Sequence, residues 1–136
     1  MILVDTNVIL DIVENDQAWG NWSERQLEAA SLQDALCINA VIYAELSIAF
    51  EAIEDLETML KQSEFRMEAI PREALYLAGK AFLKYRKRKG ARTGVLPDFF
   101  VGAHAAVAAM PLLTRDTRRY ADYFPTVRLI VPPRTR

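Results

Sequence analysis

ILVDTNVILDI, residues 2–12, decides how this chain is read. Its first three residues are apolar without alternation, the pattern of a strand buried on both faces of a sheet. Asp5 ends that run, and Thr6 and Asn7 follow at once, where a helix can begin. A carboxylate closing a buried strand is costly unless something there needs it. It is either a cap for the next helix or one wall of a site.

Outward from this stretch the chain alternates short β-rich runs with helical ones. ALCIN (35–39), RMEAI (66–70), LLT (112–114) and a short RLIV (128–131) read as further strands. NWSERQLEAASLQ reads as a surface helix that turns Trp22, Leu27, Ala30 and Leu32 to the core. Asn39 can cap a helix carrying AVIYAELSIAF, and EAIEDLETMLKQ continues helically with Ile53, Leu56 and Leu60 on one stripe. Pro71 suits the first turn of a helix that runs to Gly90, a natural stop. Pro97 and Asp98 open DFFVGAHAAVAAM, which Pro111 ends. Strands separated by helices imply right-handed crossovers. The expected fold is therefore α/β: a three-layer α/β/α sandwich around a mostly parallel sheet of four to five strands. In such sheets ligands bind beyond the carboxyl ends of the strands, so acids at strand ends are the residues to collect.

The 136 residues fit a single domain, 1–136, with 51% hydrophobic and 26% charged residues, the balance of a soluble globular protein. No apolar run reaches the ~20 residues of a membrane span, and the start lacks the pattern of a secretory signal. Cys37 is the only cysteine, which excludes an intrachain disulfide and fits a reducing, cytoplasmic setting. With His104 the only histidine, a zinc site is disfavoured. The net charge of −1 hides an asymmetry: residues 1–64 hold 13 acids against Arg25 and Lys61, whereas residues 65–136 hold 15 cations against 5 acids. A basic half can bind a polyanion, although folding can also intermix the charges into a patchwork surface.

Four acids stand out. Asp5 closes the first strand, Asp116 comes two residues after LLT, Asp98 opens a helix after a loop, and Glu45 is the lone charge among Ile42, Tyr43, Ala44 and Leu46. Singly, each has an ordinary use: helix cap, turn or surface charge. Together at one sheet edge they would repel one another unless cations or protons neutralised them. Oxygen ligands without His or Cys are the set that Mg²⁺ or Mn²⁺ takes. Such ions serve phosphodiester hydrolysis by polarising the phosphoryl oxygen and lowering the pKa of an attacking water.

VDTNVILDI, YAELSIAF, LPDFFVGAHA and LLTRDTRRYADYFP, in this order over nearly the whole chain, resemble the PIN-domain family, and within it the VapC-type toxins of bacterial toxin–antitoxin pairs. The resemblance implies a parallel sheet between helices and a Mg²⁺- or Mn²⁺-dependent endoribonuclease. It implies catalytic and metal-binding roles for Asp5, Glu45, Asp98 and Asp116, supported by Thr6, Asn7 and Thr114. It also implies a VapB-like antitoxin and a homodimer.

KYRKRKGAR (84–92) holds six cations and no acid. It is either a solvated helix end or an RNA-backbone contact leading into Asp98. We expect phosphate contacts from Lys87, Arg88, Lys89 and Arg92, and from Arg115 beside Asp116. Arg118 and Arg119 flank the same acid. His104 and Cys37 read as structural, the aromatics Trp19, Trp22, Tyr43, Phe50, Phe99 and Phe100 as core or dimer surface, and Asp11 and Asp16 as surface acids. Two other classes stay in view. One is a non-catalytic RNA- or partner-binding module. The other is a phosphotransfer domain, for which Asn7 stands where an Asp-x-Asp phosphatase needs an acid.

Overall fold

A computed structural model describes residues 1–88 and 95–133. β1 (Ile2–Val4) is buried at all three positions, as its unbroken apolar run requires. Asp5 then turns the chain into α1 (Thr6–Val13). The chain continues through α2 (Gly20–Gln33), β2 (Leu36–Ile38), α3 (Ala40–Ser47), α4 (Ile53–Gln62) and β3 (Arg66–Met67). It returns through α5 (Arg72–Lys87), α6 (Leu96–Val107), β4 (Leu112–Leu113), α7 (Arg118–Tyr123) and β5 (Leu129–Ile130).

The five strands form one parallel sheet in the order β3-β2-β1-β4-β5. With the helices it makes the expected α/β/α sandwich. β1 is central, and the order reverses beside it: β1 leads away to β2, while its other neighbour β4 leads away to β5. The crevice at the carboxyl ends of β1 and β4 is therefore the topological switch point, where such sheets bind ligands. The register pairs Val4 with Leu113. The Asp5 amide donates to the Leu113 carbonyl at 2.9 Å, so Asp5 and Thr114 emerge side by side.

Several local expectations need correction. Leu32 is 84% exposed, because it lies about 200° around α2 from the buried Ala30. The helical run beyond Asn39 is not continuous. It breaks after Ser47, and Ile53, now the first residue of a separate α4, is 64% exposed while Leu56 is buried. RMEAI pairs only at Arg66 and Met67, at the sheet edge, where one neighbour alone supplies bonds. The Gly90 stop, with Lys89 and Arg92, lies outside the described residues.

Two features fix the helices that carry the acids. Asn39 caps α3 by accepting from the Ile42 amide (3.0 Å), and its own amide faces His104 Nδ1 on α6 at 3.1 Å. Burial holds His104 below its ordinary pKa, so the ring is neutral and accepts this bond. The second feature is an aromatic cluster in which Phe99 on α6 meets Phe82 and Tyr85 of α5, Tyr123 of α7, and Phe124, with centroids 5.3–5.9 Å apart. It presses Asp98, the preceding residue, toward α7. Gly102 allows this closeness, since a Cβ there would sit well inside the Phe124 ring's contact distance. Gly102→Ala should therefore cost about 1–3 kcal/mol by overpacking. Denaturant unfolding reads this, and a variant as stable as wild type would show that the ring swings aside freely.

Candidate active site

Asp5 is 5% exposed, and the donors around it explain how a carboxylate survives there. Its Oδ2 accepts from Thr114 Oγ1 (2.8 Å), Tyr120 Oη (2.9 Å) and Asn7 Nδ2 (3.3 Å). Its Oδ1 accepts only from the Thr6 amide, at 2.8 Å, which is also the cap of α1. The cap and the site are thus the same residue. Three donors exhaust the lone pairs of Oδ2, whereas Oδ1 keeps one free. Burial pushes the Asp5 carboxyl up, the hydrogen bonds pull it down, and the nearby Glu45 charge pushes it up again.

Thr6 joins the first two acids. Its amide holds Asp5, and its hydroxyl donates to Glu45 Oε1 at 2.7 Å, drawing α3 to the end of β1. Asn7 and Thr114 join β1 to the loop after β4. Asn7 Nδ2 also reaches Thr114 Oγ1 (3.3 Å), its Oδ1 accepts from the Arg115 amide (3.1 Å), and Thr114 Oγ1 accepts from the Asp116 amide (3.0 Å). These bonds set Asp116 one turn of loop away from Asp5.

Asp98 and Asp116 meet through Arg119. Its Nη1 pairs with Asp98 Oδ2 and lies 3.7 Å from Asp116 Oδ2. Asp98 is raised to about 6 by burial and by the Asp5 charge, against the pull of Arg119, with Asp116 adding to the rise. The charges of Asp5 and Asp116 therefore both bear on Asp98. Even so, among the described residues no three His, Cys, Asp or Glu side chains form a ready metal cluster. The donor chemistry nonetheless fits a hard divalent cation: carboxylates with free oxygen lone pairs, no sulfur, and repulsion that a cation relieves. Arg119 supplies that positive charge in the structure.

Three residues behave differently from the sequence reading. Asp11, expected at the surface, is 4% exposed and accepts from Ser23 Oγ (2.7 Å) and from both Arg115 Nε (2.6 Å) and Nη2 (2.8 Å). Arg115, expected to meet RNA, is committed to this fork and stacks over Trp19, 5.3 Å from the ring centre. It braces the loop bearing Asp116. Tyr120, unremarked in the sequence, is buried, and burial beside the Asp5, Asp98 and Asp116 charges holds its hydroxyl protonated as a donor. Only its place four residues after Asp116, one helical turn, hinted at it. Asp16 is half-buried and holds the Trp19 amide at 2.7 Å. Lys87 and Arg88 lie exposed at the end of α5, with Arg88 over the Tyr123 ring of α7, the helix that also carries Arg119.

The model of the PIN domain matches residues 2–123. The chain belongs to the PIN domain family. Its fold is also that of solved structures of low sequence identity. VapBC2 from Rickettsia felis bound to a DNA fragment from its promoter superposes with a TM-score of 0.74 at 16% identity, covering 98% of this chain and 100% of that one. VapBC-1 from nontypeable Haemophilus influenzae gives 0.71 at 18%, covering 96% and 98%. FitAcB from Neisseria gonorrhoeae gives 0.68 at 23%, covering 95% and 96%. No curated protein sequence matches significantly. Among the described residues no helix is long and apolar enough to cross a membrane.

Proposed function

We propose that the chain is a divalent-cation-dependent endoribonuclease serving as the toxin of a toxin–antitoxin pair. The observation that carries the reading is the buried Asp5 carboxylate at the switch point, held by four donors and facing the charges of Glu45 and Asp98. Repelling acids gathered this way suit a cation better than any structural use. Asp5, Asp98 and Asp116, with Glu45, would hold Mg²⁺ or Mn²⁺. When bound, that ion would polarise the scissile phosphate and make water a competent nucleophile. Thr6, Asn7, Thr114 and Tyr120 keep Asp5 oriented. Lys87 and Arg88, with Lys89 and Arg92 beyond the described residues, supply countercharge along the RNA backbone. The toxin role rests on the likeness to toxin–antitoxin complexes, and the partner would be a VapB-like antitoxin. A homodimer belongs to the same reading. Arg119 within the acids favours the alternative of a non-catalytic binding module, and one experiment separates the two.

Purified protein incubated with RNA and Mn²⁺ should cleave it, and a chelator should stop the reaction. Because water rather than the ribose 2′-hydroxyl attacks, the new ends should be 5′-phosphate and 3′-hydroxyl. Cyclic 2′,3′-phosphate ends would overturn the mechanism, and binding without cleavage would establish the module.

A further inference from the structure

Arg119 has no evident structural need to stand where it does. It is half-buried, and one of its nitrogens serves both Asp98 and Asp116. Its neighbours divide the other roles: Arg115 is spent on Asp11, and Arg118 is exposed. Among the described residues Arg119 is the one side-chain cation within ion-pairing distance of any of the four acids, and it reaches two, Asp98 and Asp116. A guanidinium there neutralises the repulsion of the acids, as a divalent ion would. Both cannot use the same carboxylate oxygens at once.

We propose that Arg119 is the resident counter-ion of the acidic pocket: a divalent cation must displace it from Asp98 and Asp116, and its freed fork then takes the phosphodiester. This rests on the functional reading above and adds a competitor within the chain itself. The exchange costs metal affinity but keeps the acids neutralised when no ion is bound. The displaced side chain stays on α7, one turn beyond Asp116, and a planar guanidinium matches phosphate oxygens in a way an ammonium does not. Arg119 is thus both a brake on metal binding and a substrate-positioning group.

The test is Mn²⁺ titration by calorimetry on wild type, Arg119→Gln and Arg119→Lys, with RNA cleavage at saturating Mn²⁺ alongside. Arg119→Gln should bind Mn²⁺ on the order of tenfold more tightly and yet cleave on the order of tenfold more slowly. Arg119→Lys, which keeps the charge, should bind Mn²⁺ much as wild type does. A residue that merely held the fold would lose both properties together. Unchanged or weaker Mn²⁺ binding by Arg119→Gln would overturn the proposal, as would undiminished cleavage. So would an Arg119→Lys that binds as tightly as Arg119→Gln. Wild type that binds Mn²⁺ and cleaves, with any of these results, removes only the role of Arg119. Wild type that binds no Mn²⁺ removes the functional reading and this proposal with it.

Discussion

Asp5→Asn should abolish RNA cleavage and the Mn²⁺-dependent rise in thermal stability while leaving the fold in place. The substitution preserves shape, so its effect comes from charge and donor pattern. Three donors point at Oδ2, and the amide oxygen must take that position to keep Tyr120, Thr114 and Asn7 satisfied. The amide nitrogen then falls where Oδ1 was. It faces the Thr6 amide, donor against donor, and presents N–H groups where a cation needs a lone pair. The lost cap costs about 1 kcal/mol. Removing a buried charge offsets this, because burial already pushes the Asp5 carboxyl toward its neutral form. The metal-free variant should therefore unfold within a few degrees of wild type. Cleavage should fall by more than the ~10–100-fold typical of losing a partner behind a ligand. Full cleavage, or a full Mn²⁺ shift in melting temperature, would remove Asp5 from the site.

Asp98→Asn should make the metal-free protein more stable at pH 7.5, an unusual outcome for a change at a half-buried acid. Asp98 is raised from an ordinary 3.8 to about 6, first by burial and then by Asp5. Between about pH 4 and 6 the folded chain therefore holds a proton that the unfolded chain has released. Stability falls as pH rises through that window, and above about 6 the full cost is present. Asparagine removes the titration and can still accept from Arg119. The expected gain is on the order of 1 kcal/mol after screening, or ~3 °C in Tm. The stability–pH slope between about 4 and 6 should flatten in step, leaving the part due to Asp5. In wild type, Mn²⁺ should stabilise more as pH rises through about 6, since the ion requires an ionised carboxylate. Unfolding curves with and without Mn²⁺ from pH 4 to 8 measure both effects. A destabilised Asp98→Asn with an unchanged slope would mean that Asp98 is not strained by its neighbours.

The elements that carry these two acids mark where sequence reading succeeds. β1 and α1 were legible in ILVDTNVILDI because burial on both faces and helix starts write themselves into adjacent residues. Asn39 as a cap and Pro97 in a first turn are equally local signals, and the structure shows both. What failed was either cumulative or distant. The break between α3 and α4 lies in a stretch whose apolar spacing suits one long helix, and Leu32 sits in a pattern that tolerates either face. Asp11 looked like any surface acid, because the partner that draws it inward, Arg115, is 104 residues away. Tyr120 drew no notice, because the carboxylate its buried hydroxyl meets, Asp5, is 115 residues away.

By itself the sequence determined the alternation of strand and helix, the buried β1, the PIN-domain likeness and which four acids stand out, three near element ends and Glu45 alone in an apolar helix. These follow from propensity, periodicity and motif order, which act over a few residues. Only the tertiary structure decided the strand order that puts the ends of β1 and β4 at a switch point. Only it decided which oxygen of Asp5 stays free, that Arg115 is a brace, and that Arg119 stands among the acids. Those are properties of packing: the chain must close before residues a hundred positions apart can compete for one carboxylate.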